Sequence, residues 1–300
     1  MPSWSELREN AQVKDSAWLN NQLISQLGKI SKHRNNINVI LYGSAFLQKP
    51  ESKTTSISRE DMNGFMNAVR GMDCAKGLGL VLHTPGGDPN AAESIVDYLH
   101  KKFEYLEVII PYLAMSAGSM ISLASDLIIM GKQSQLGPID PQMIISGKVH
   151  SARAIKEGFD EAKSDIEKDT RYAHLWAPIL QAMAPSLFLE ANKALQYSQD
   201  LVEKWLGQKM LAGEKEEDIK NVAKHFNADF NNVQDKKIHV HGQRIDIDDL
   251  NGMGLKTEPL EQKQELQNAV LTVYHLMTLT FEQSAAIKMI ISHSDKKWIK

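Results

Sequence analysis

Four short apolar runs, "INVILYGS", "GLGLVLH", "LEVIIPYL" and "LIIMG", fall between residues 37 and 131, and amphipathic stretches separate them. Runs of this length, rich in Val, Ile and Leu and without polar alternation, read as strands buried on both faces. The stretches between them read as helices. "REDMNGFMNAVRGM" has acidic residues in its first turn, "NAAESIVDYLHKKF" places Ala92, Ile95, Val96 and Leu99 on one stripe, and "SAGSMISLASD" follows the third run. Strand, turn, helix, strand, repeated, specifies an α/β layer with a mostly parallel sheet. Reacting groups in such sheets gather where strands end and helices begin. Two of these junctions carry turns of small residues, "TPGGD" and "AMSAGSM".

The flanks are different in character. Residues 1–33 form an N-terminal helical segment, with Trp18, Leu19, Leu23, Ile24, Leu27 and Ile30 at helical spacing. Residues 34–150 form the α/β core. Residues 151–300 read as a mostly helical region packed on that core, with a small mixed segment near 236–256 and a closing helix through "EQKQELQNAVLTVYHLMTLTFEQSAAIKMI". The final "SDKKWIK" reads as a polar, frayed end.

Bulk properties exclude several classes. A net charge of −3 gives no electrostatic case for nucleic acid or an anionic membrane surface. The apolar windows Val108–Leu113 and Met120–Met130 are broken by Ser, Gly, Asp and Pro, short of the roughly 20 residues of a membrane span. The start of the chain lacks the basic-then-apolar pattern of a signal peptide, and the one cysteine, Cys74, fits a reducing compartment. The expectation is a cytoplasmic protein without a membrane span.

A hydroxyl attacks a carbonyl only when a base takes its proton and donors hold the oxyanion. The Gly86-Gly87 turn can present backbone N–H groups without Cβ obstruction. Ser116 stands at the start of a helix with the Ala117 N–H beside it. On neighbouring parallel strands, Gly87 N–H, Ala117 N–H and the Ser116 hydroxyl would converge as an acyl-transfer site. Taken singly, each motif also has a packing reading, and a serine at a helix start is commonly an N-cap.

"LHTPGGD", "PYLAMSAGSMISLASDLIIMG" and "LGPIDPQ", in that order, resemble the SDH family (serine dehydrogenase proteinases) of Clp-fold serine peptidases, relatives of signal peptide peptidase A. The resemblance covers roughly residues 55 to 290. It implies a ClpP/crotonase-like spiral of ββα units and a nucleophile at Ser116, the serine of Ser-x-Gly. The implied oxyanion hole is Gly87 and Ala117, with Gly86, Gly118 and Asp140 in support and Ser119 as a packing residue. It also implies a peptide or unfolded-protein substrate and a homo-oligomer. No GxGxxG follows a strand, so dehydrogenase chemistry is not expected, and nothing resembles a nucleotide-binding P-loop.

The base is left open. No histidine lies between His100 and His150, where ClpP-like members place theirs. Lys156, about forty residues beyond the serine, matches the lysine of signal-peptide-peptidase-like relatives, but it flanks an apolar stripe rather than lying within it and reads more readily as a solvated edge residue. His83, at the end of the second strand, could orient the site or act as base, and His150 is a weaker third. Asp140 is better placed to fix its loop, or to pair with a cation at a subunit contact, than to take a proton. His239 and His241 alternate as a metal pair would, but no third ligand stands out, so no metal and no cofactor are expected. The alternatives are a non-catalytic scaffold or adaptor that has lost its base, and a crotonase-like acyl or thioester enzyme. Ser116 argues against the second.

Overall fold

The computed structural model describes residues 3–14, 16–145, 147–183, 186–227 and 244–300. Two helices, α1 (Trp4–Val13) and α2 (Ser16–His33), precede β1 (Asn38–Ser44). The α/β alternation then runs α3 (Asp61–Val69), β2 (Leu78–His83), α4 (Pro89–Lys102), β3 (Leu106–Ile110), β4 (Leu113–Ala114), α5 (Ala117–Leu123), β5 (Leu127–Met130) and β6 (Gln135–Leu136). A hairpin of β7 (Gln142–Ile145) and β8 (Lys148–Ser151) leads into α6 (Ala152–Lys168), α7 (Ala173–Ala182), α8 (Ser186–Gln208) and α9 (Glu216–Phe226). The chain continues through α10 (Ile247–Gly252), β9 (Thr257–Pro259), α11 (Gln264–Gln283), β10 (Lys288–Ser292) and β11 (Lys297–Ile299).

One mixed sheet has the order β11-β10-β1-β2-β3-β5-β9. Its middle is parallel, from β1 through β9, while β10 and β11 run antiparallel. Every residue of β1, β2 and β3 is buried, as strands covered on both faces must be. Successive side chains alternate between two cores. Ile40, Tyr42, Leu80, Leu82, Val108 and Ile110 join one core, which also takes in residues of α3, α4, α5 and α8. Val39, Leu41, Val81 and Ile109 join the other, with residues of α1, α2 and α11. The result is helix, sheet, helix, in three layers.

The closing helix is shorter than the sequence pattern suggests. It ends at Gln283, and Lys288–Ser292 returns as β10, pairing with β1 from Ile40↔Ser292 to Ser44↔Lys288. The polar end likewise forms β11 against β10 rather than fraying. A five-residue segment such as KMIIS, with only three apolar residues and set beside a helix, has no periodicity of its own, so only the vacant side of β1 decides its state. The predicted mixed segment lies partly outside the described residues, as do His239 and His241. Among the described residues, no helix is long and apolar enough to cross a membrane.

Near the opposite end of the sheet from the glycine turn, Arg34 closes the α2–β1 corner. Its guanidinium makes two-pronged contacts to Glu107 (2.8 and 2.6 Å) and to Glu258 (2.9 and 2.8 Å), tying α2 to β3 and β9. Burial opposes the charge on Arg34, but the two carboxylates outweigh it and hold the pKa above the ordinary value. Arg34→Met would leave the fully buried Glu107 without its cation, and we expect a loss of about 3–5 kcal/mol. The measurement is the urea unfolding midpoint, which should fall with an unchanged slope.

Candidate active site

β2 and β3 are parallel, so the loops that leave their carboxyl ends emerge on one edge of the sheet. Beyond the strands a further ladder joins those loops. Thr84 N–H donates to Leu113 O (3.0 Å) and Met115 N–H to Thr84 O (3.0 Å), a parallel bridge between Thr84 and Ala114. The Gly-Gly turn and the Ser116 turn therefore lie side by side. A Cβ added at Gly86 would sit 2.6 Å from Met115 O and 2.8 Å from Ser116 Cβ, and its φ is +96°. Only glycine allows that approach. On its other side the turn is held by Ile57, whose N–H donates to Gly86 O (2.7 Å) and whose carbonyl accepts from Asp88 N–H (3.0 Å). Asp88 then caps α4, and Pro89 occupies its first position.

Ser116 is the N-cap of α5 but caps nothing with its side chain. Its φ of 52° and ψ of −114° place a non-glycine residue in a sparsely populated region, the geometry of a serine held up on a sharp strand-to-helix turn. Among the described residues the Ser116 hydroxyl has no hydrogen-bond partner, and neither do the N–H groups of Gly87 and Ala117. Gly118 packs against Thr84, where a Cβ would stand 2.6 Å from Cγ2. A free hydroxyl and two unengaged backbone donors thus share one corner of the sheet.

Ser119 has the opposite character. Fully buried, its hydroxyl lies within hydrogen-bond distance of Ala114 O (3.0 Å) and Gly137 O (2.7 Å), and it accepts from Gly137 N–H (3.0 Å). It staples the serine turn to the "LGPIDP" loop. Asp140, farther along that loop, accepts from Ser151 Oγ (2.9 Å) and Gln142 Nε2 (3.3 Å), and Ser151 caps α6.

The two foremost base candidates are not joined to Ser116 by any hydrogen bond. Lys156 lies on α6 with Nζ 2.6 Å from Asp160 one turn on, its side chain 38% exposed. His150 is exposed on β8. His83 is wholly buried among Phe46, Tyr112 and Tyr274, at ring separations of 4.8, 6.3 and 5.1 Å. Its Nδ1 accepts from Leu113 N–H (3.4 Å), while Nε2 has no partner among the described residues. Burial drives its pKa down to about 3, which makes the ring a weak proton acceptor. The Leu113 contact ties it instead to the strand that leads into Ser116.

Three residues of this corner escaped the sequence reading. Asp61, read as a first-turn acid of α3, is fully buried and paired with Lys288 of β10 (Nζ–Oδ1 2.5 Å), and Tyr42 donates to its other oxygen (2.8 Å). The one sequence signal was the Ser58-x-x-Asp61 spacing, whose Ser58 N–H donates to Asp61 Oδ2 at 2.8 Å.

The chain matches the ClpP-like SDH-type serine proteinases over residues 43–283, and it belongs to that family. The family supplies the ClpP-like identity of the mixed α/β fold. Two uncharacterized proteins of Methanocaldococcus jannaschii are 41% and 42% identical over 87 residues. That segment is 29% of this chain and 30% of each relative, so the chain spans under a third of the curated relatives it matches. Among solved structures, two mutants of the 1510-N membrane-bound stomatin-specific protease, one in complex with a substrate peptide, are similar at 17% and 18% identity with a TM-score of 0.41 for both. They cover 71% and 70% of this chain, and 79% and 74% of their own.

The His83 environment predicts a pH dependence of stability. Its folded pKa lies below the unfolded value near 6.5, so the unfolded chain binds the proton first as pH falls. The contribution is complete above about pH 6.5 and is lost progressively toward pH 3. Unfolding midpoints taken from pH 7 to pH 4 should fall less steeply in His83→Gln than in the parent.

Proposed function

We propose that this chain is a serine endopeptidase that cleaves peptides or unfolded segments through an acyl-enzyme on Ser116. The observation that carries the reading is the Ser116 turn itself, with its φ of 52° and no side-chain capping role, pressed against the Gly86-Gly87 turn. In the reaction Ser116 Oγ bonds to the scissile carbonyl carbon and gives its proton to the base. The N–H groups of Gly87 and Ala117 hold the oxyanion, and the C–N bond breaks as the base protonates the leaving amine. Water then releases the acyl group by the same sequence.

Lys156 is the base we favour over His83, because the low pKa of His83 removes it from proton transfer at neutral pH. Lys156 would have to leave Asp160 and become neutral. Its helix belongs to an arm with exposed apolar residues, Ile144, Val149, Leu175, Ile179 and Leu189. Such a surface favours burial against another copy, which supports a homo-oligomer built through this arm. The single cysteine favours a reducing compartment such as the cytoplasm, and the lack of a P-loop sequence favours cleavage without ATP.

The test is labelling with an alkyl fluorophosphonate, mapped by peptide mass spectrometry. The adduct should fall on Ser116 and vanish in Ser116→Ala. Gly87→Ala should slow labelling at least about a hundredfold, because its Cβ would stand 2.4 Å from the Ile57 backbone and push the N–H away. A folded, assembled sample that takes no adduct would overturn the peptidase reading in favour of a scaffold.

A further inference from the structure

The glycine turn that would hold the oxyanion is anchored by a buried ionic cluster that touches none of the reacting groups. Lys288 and Asp61 are 1% and 0% exposed. All three ammonium protons of Lys288 are used, by Asp61 Oδ1 (2.5 Å), Ser56 O (2.9 Å) and Ser58 Oγ (3.1 Å). The second carboxylate oxygen of Asp61 accepts from Tyr42 OH (2.8 Å) and from Ser58 N–H (2.8 Å). Ser56 and Ser58 flank Ile57, the residue whose N–H and carbonyl bracket Gly87 through Gly86 O and Asp88 N–H. A second link runs through Thr84. Its hydroxyl interacts with Tyr42 and accepts the Gly86 N–H at 3.2 Å. Burial, reinforced by Asp61, pushes the Tyr42 phenol well up, so it stays protonated and donates.

A buried ion pair is a poor source of net stability, because desolvation cancels most of its attraction and an apolar pair of similar volume does as well. A fully satisfied buried network does something apolar packing cannot: it sets directions and distances. Apart from the bonds that join Lys288, Asp61 and Tyr42 to one another, the contacts of this one reach the segment Ser56–Ser58 and Thr84, the two supports of the glycine turn. Its bases are β1 and β10 inside the sheet, rigid elements of the kind that hold a site to fractions of an ångström.

We infer that Lys288, Asp61 and Tyr42 are positioning residues that fix the Gly87 N–H where the oxyanion develops. The inference rests on the peptidase reading of Ser116. A donor held in advance matters in the transition state and not in the encounter complex, so loosening it lowers the bond-forming rate while leaving initial binding alone. An alkyl fluorophosphonate places its phosphoryl oxygen in the same position, and it reports both quantities as kinact and KI.

The experiment compares the parent chain, residues 1–300, with Tyr42→Phe, Lys288→Met and the double substitution Lys288→Met/Asp61→Leu. Labelling rate, labelled stoichiometry and urea unfolding midpoint are measured for each. Tyr42→Phe keeps the ring stacked on Phe65 and loses only the hydroxyl. Its kinact should fall about tenfold to a hundredfold with KI and stoichiometry unchanged. Lys288→Met leaves Asp61 buried without its cation and should lower both midpoint and kinact. The double variant removes both charges, so its midpoint should recover while its kinact stays low. Should Lys288→Met fail to fold, Tyr42→Phe and the double variant decide alone. Recovery of both midpoint and kinact in the double variant, or parental kinact in Tyr42→Phe, would overturn the positioning role while leaving Ser116 as nucleophile. A parent protein that takes no adduct at Ser116 would instead overturn the peptidase reading, and this inference with it.

Discussion

No side chain fits between the turn at Gly86 and the turn at Ser116. The Cβ positions that glycine leaves empty at Gly86, Gly87 and Gly118 would fall 2.4–2.8 Å from the backbone of Met115 and Ile57, from Ser116 Cβ and from Thr84 Cγ2. That close approach brings two loops from adjacent strands into one structure, with the Thr84–Ala114 bridge as its ladder. Once they are this close, the unengaged N–H groups of Gly87 and Ala117 and the free hydroxyl of Ser116 have to share a corner. The positive φ of Ser116 is the strain that accompanies the arrangement, and the staple from Ser119 to Gly137 and Ala114 helps to hold it.

Two buried charge systems serve the two ends of the sheet. Near the amino ends of the parallel strands, Arg34 joins α2, β3 and β9 through Glu107 and Glu258. Near the carboxyl end of β1, Lys288 and Asp61 join β10 and α3 beneath the glycine turn. Both are satisfied by hydrogen bonds on nearly every polar atom, as buried charges must be. The first closes the corner at the far end of the sheet from the glycine turn. The second stands behind the Gly86-Gly87 turn, where, on the proposed reading, a small displacement would change how an oxyanion is held.

The arm formed by β7, β8 and α6 to α8 has a different construction. Its own apolar cluster is small, built on Ala152, Ile155, Leu187 and Ala191, and it leaves Ile144, Val149 and Leu175 exposed. Lys156 rides on this arm and pairs with Asp160 across one helical turn, a contact of little energetic weight at an exposed site. The Ser116 corner is thus closely packed against the main core, and Lys156, the base proposed for it, is carried on the part with the least packing of its own. The assembly proposed through those exposed apolar residues would change the surroundings of that lysine.

The sequence by itself determined the parallel middle of the sheet and the place of the two turns. Unbroken Val, Ile and Leu runs allow only buried strands, and "TPGG" and "SAG" are small for reasons of backbone approach that are local to each turn. Ser116, Gly86, Gly87, Ala117 and Gly118 were singled out on that basis, and the structure sets their two turns side by side; the order of the motifs also pointed to the family the chain belongs to. Lys288 was not legible, because its helix-like surroundings gave no sign that residues 288–292 would fill the vacant side of β1. Asp61 looked like an ordinary helix-start acid until Lys288, 227 residues away, arrived beside it. The burial of His83 likewise depends on Tyr274, on a helix that no local pattern links to β2. Local chain chemistry decided where the turns form; only the closing of the sheet by its last strands decided which charges stand behind them.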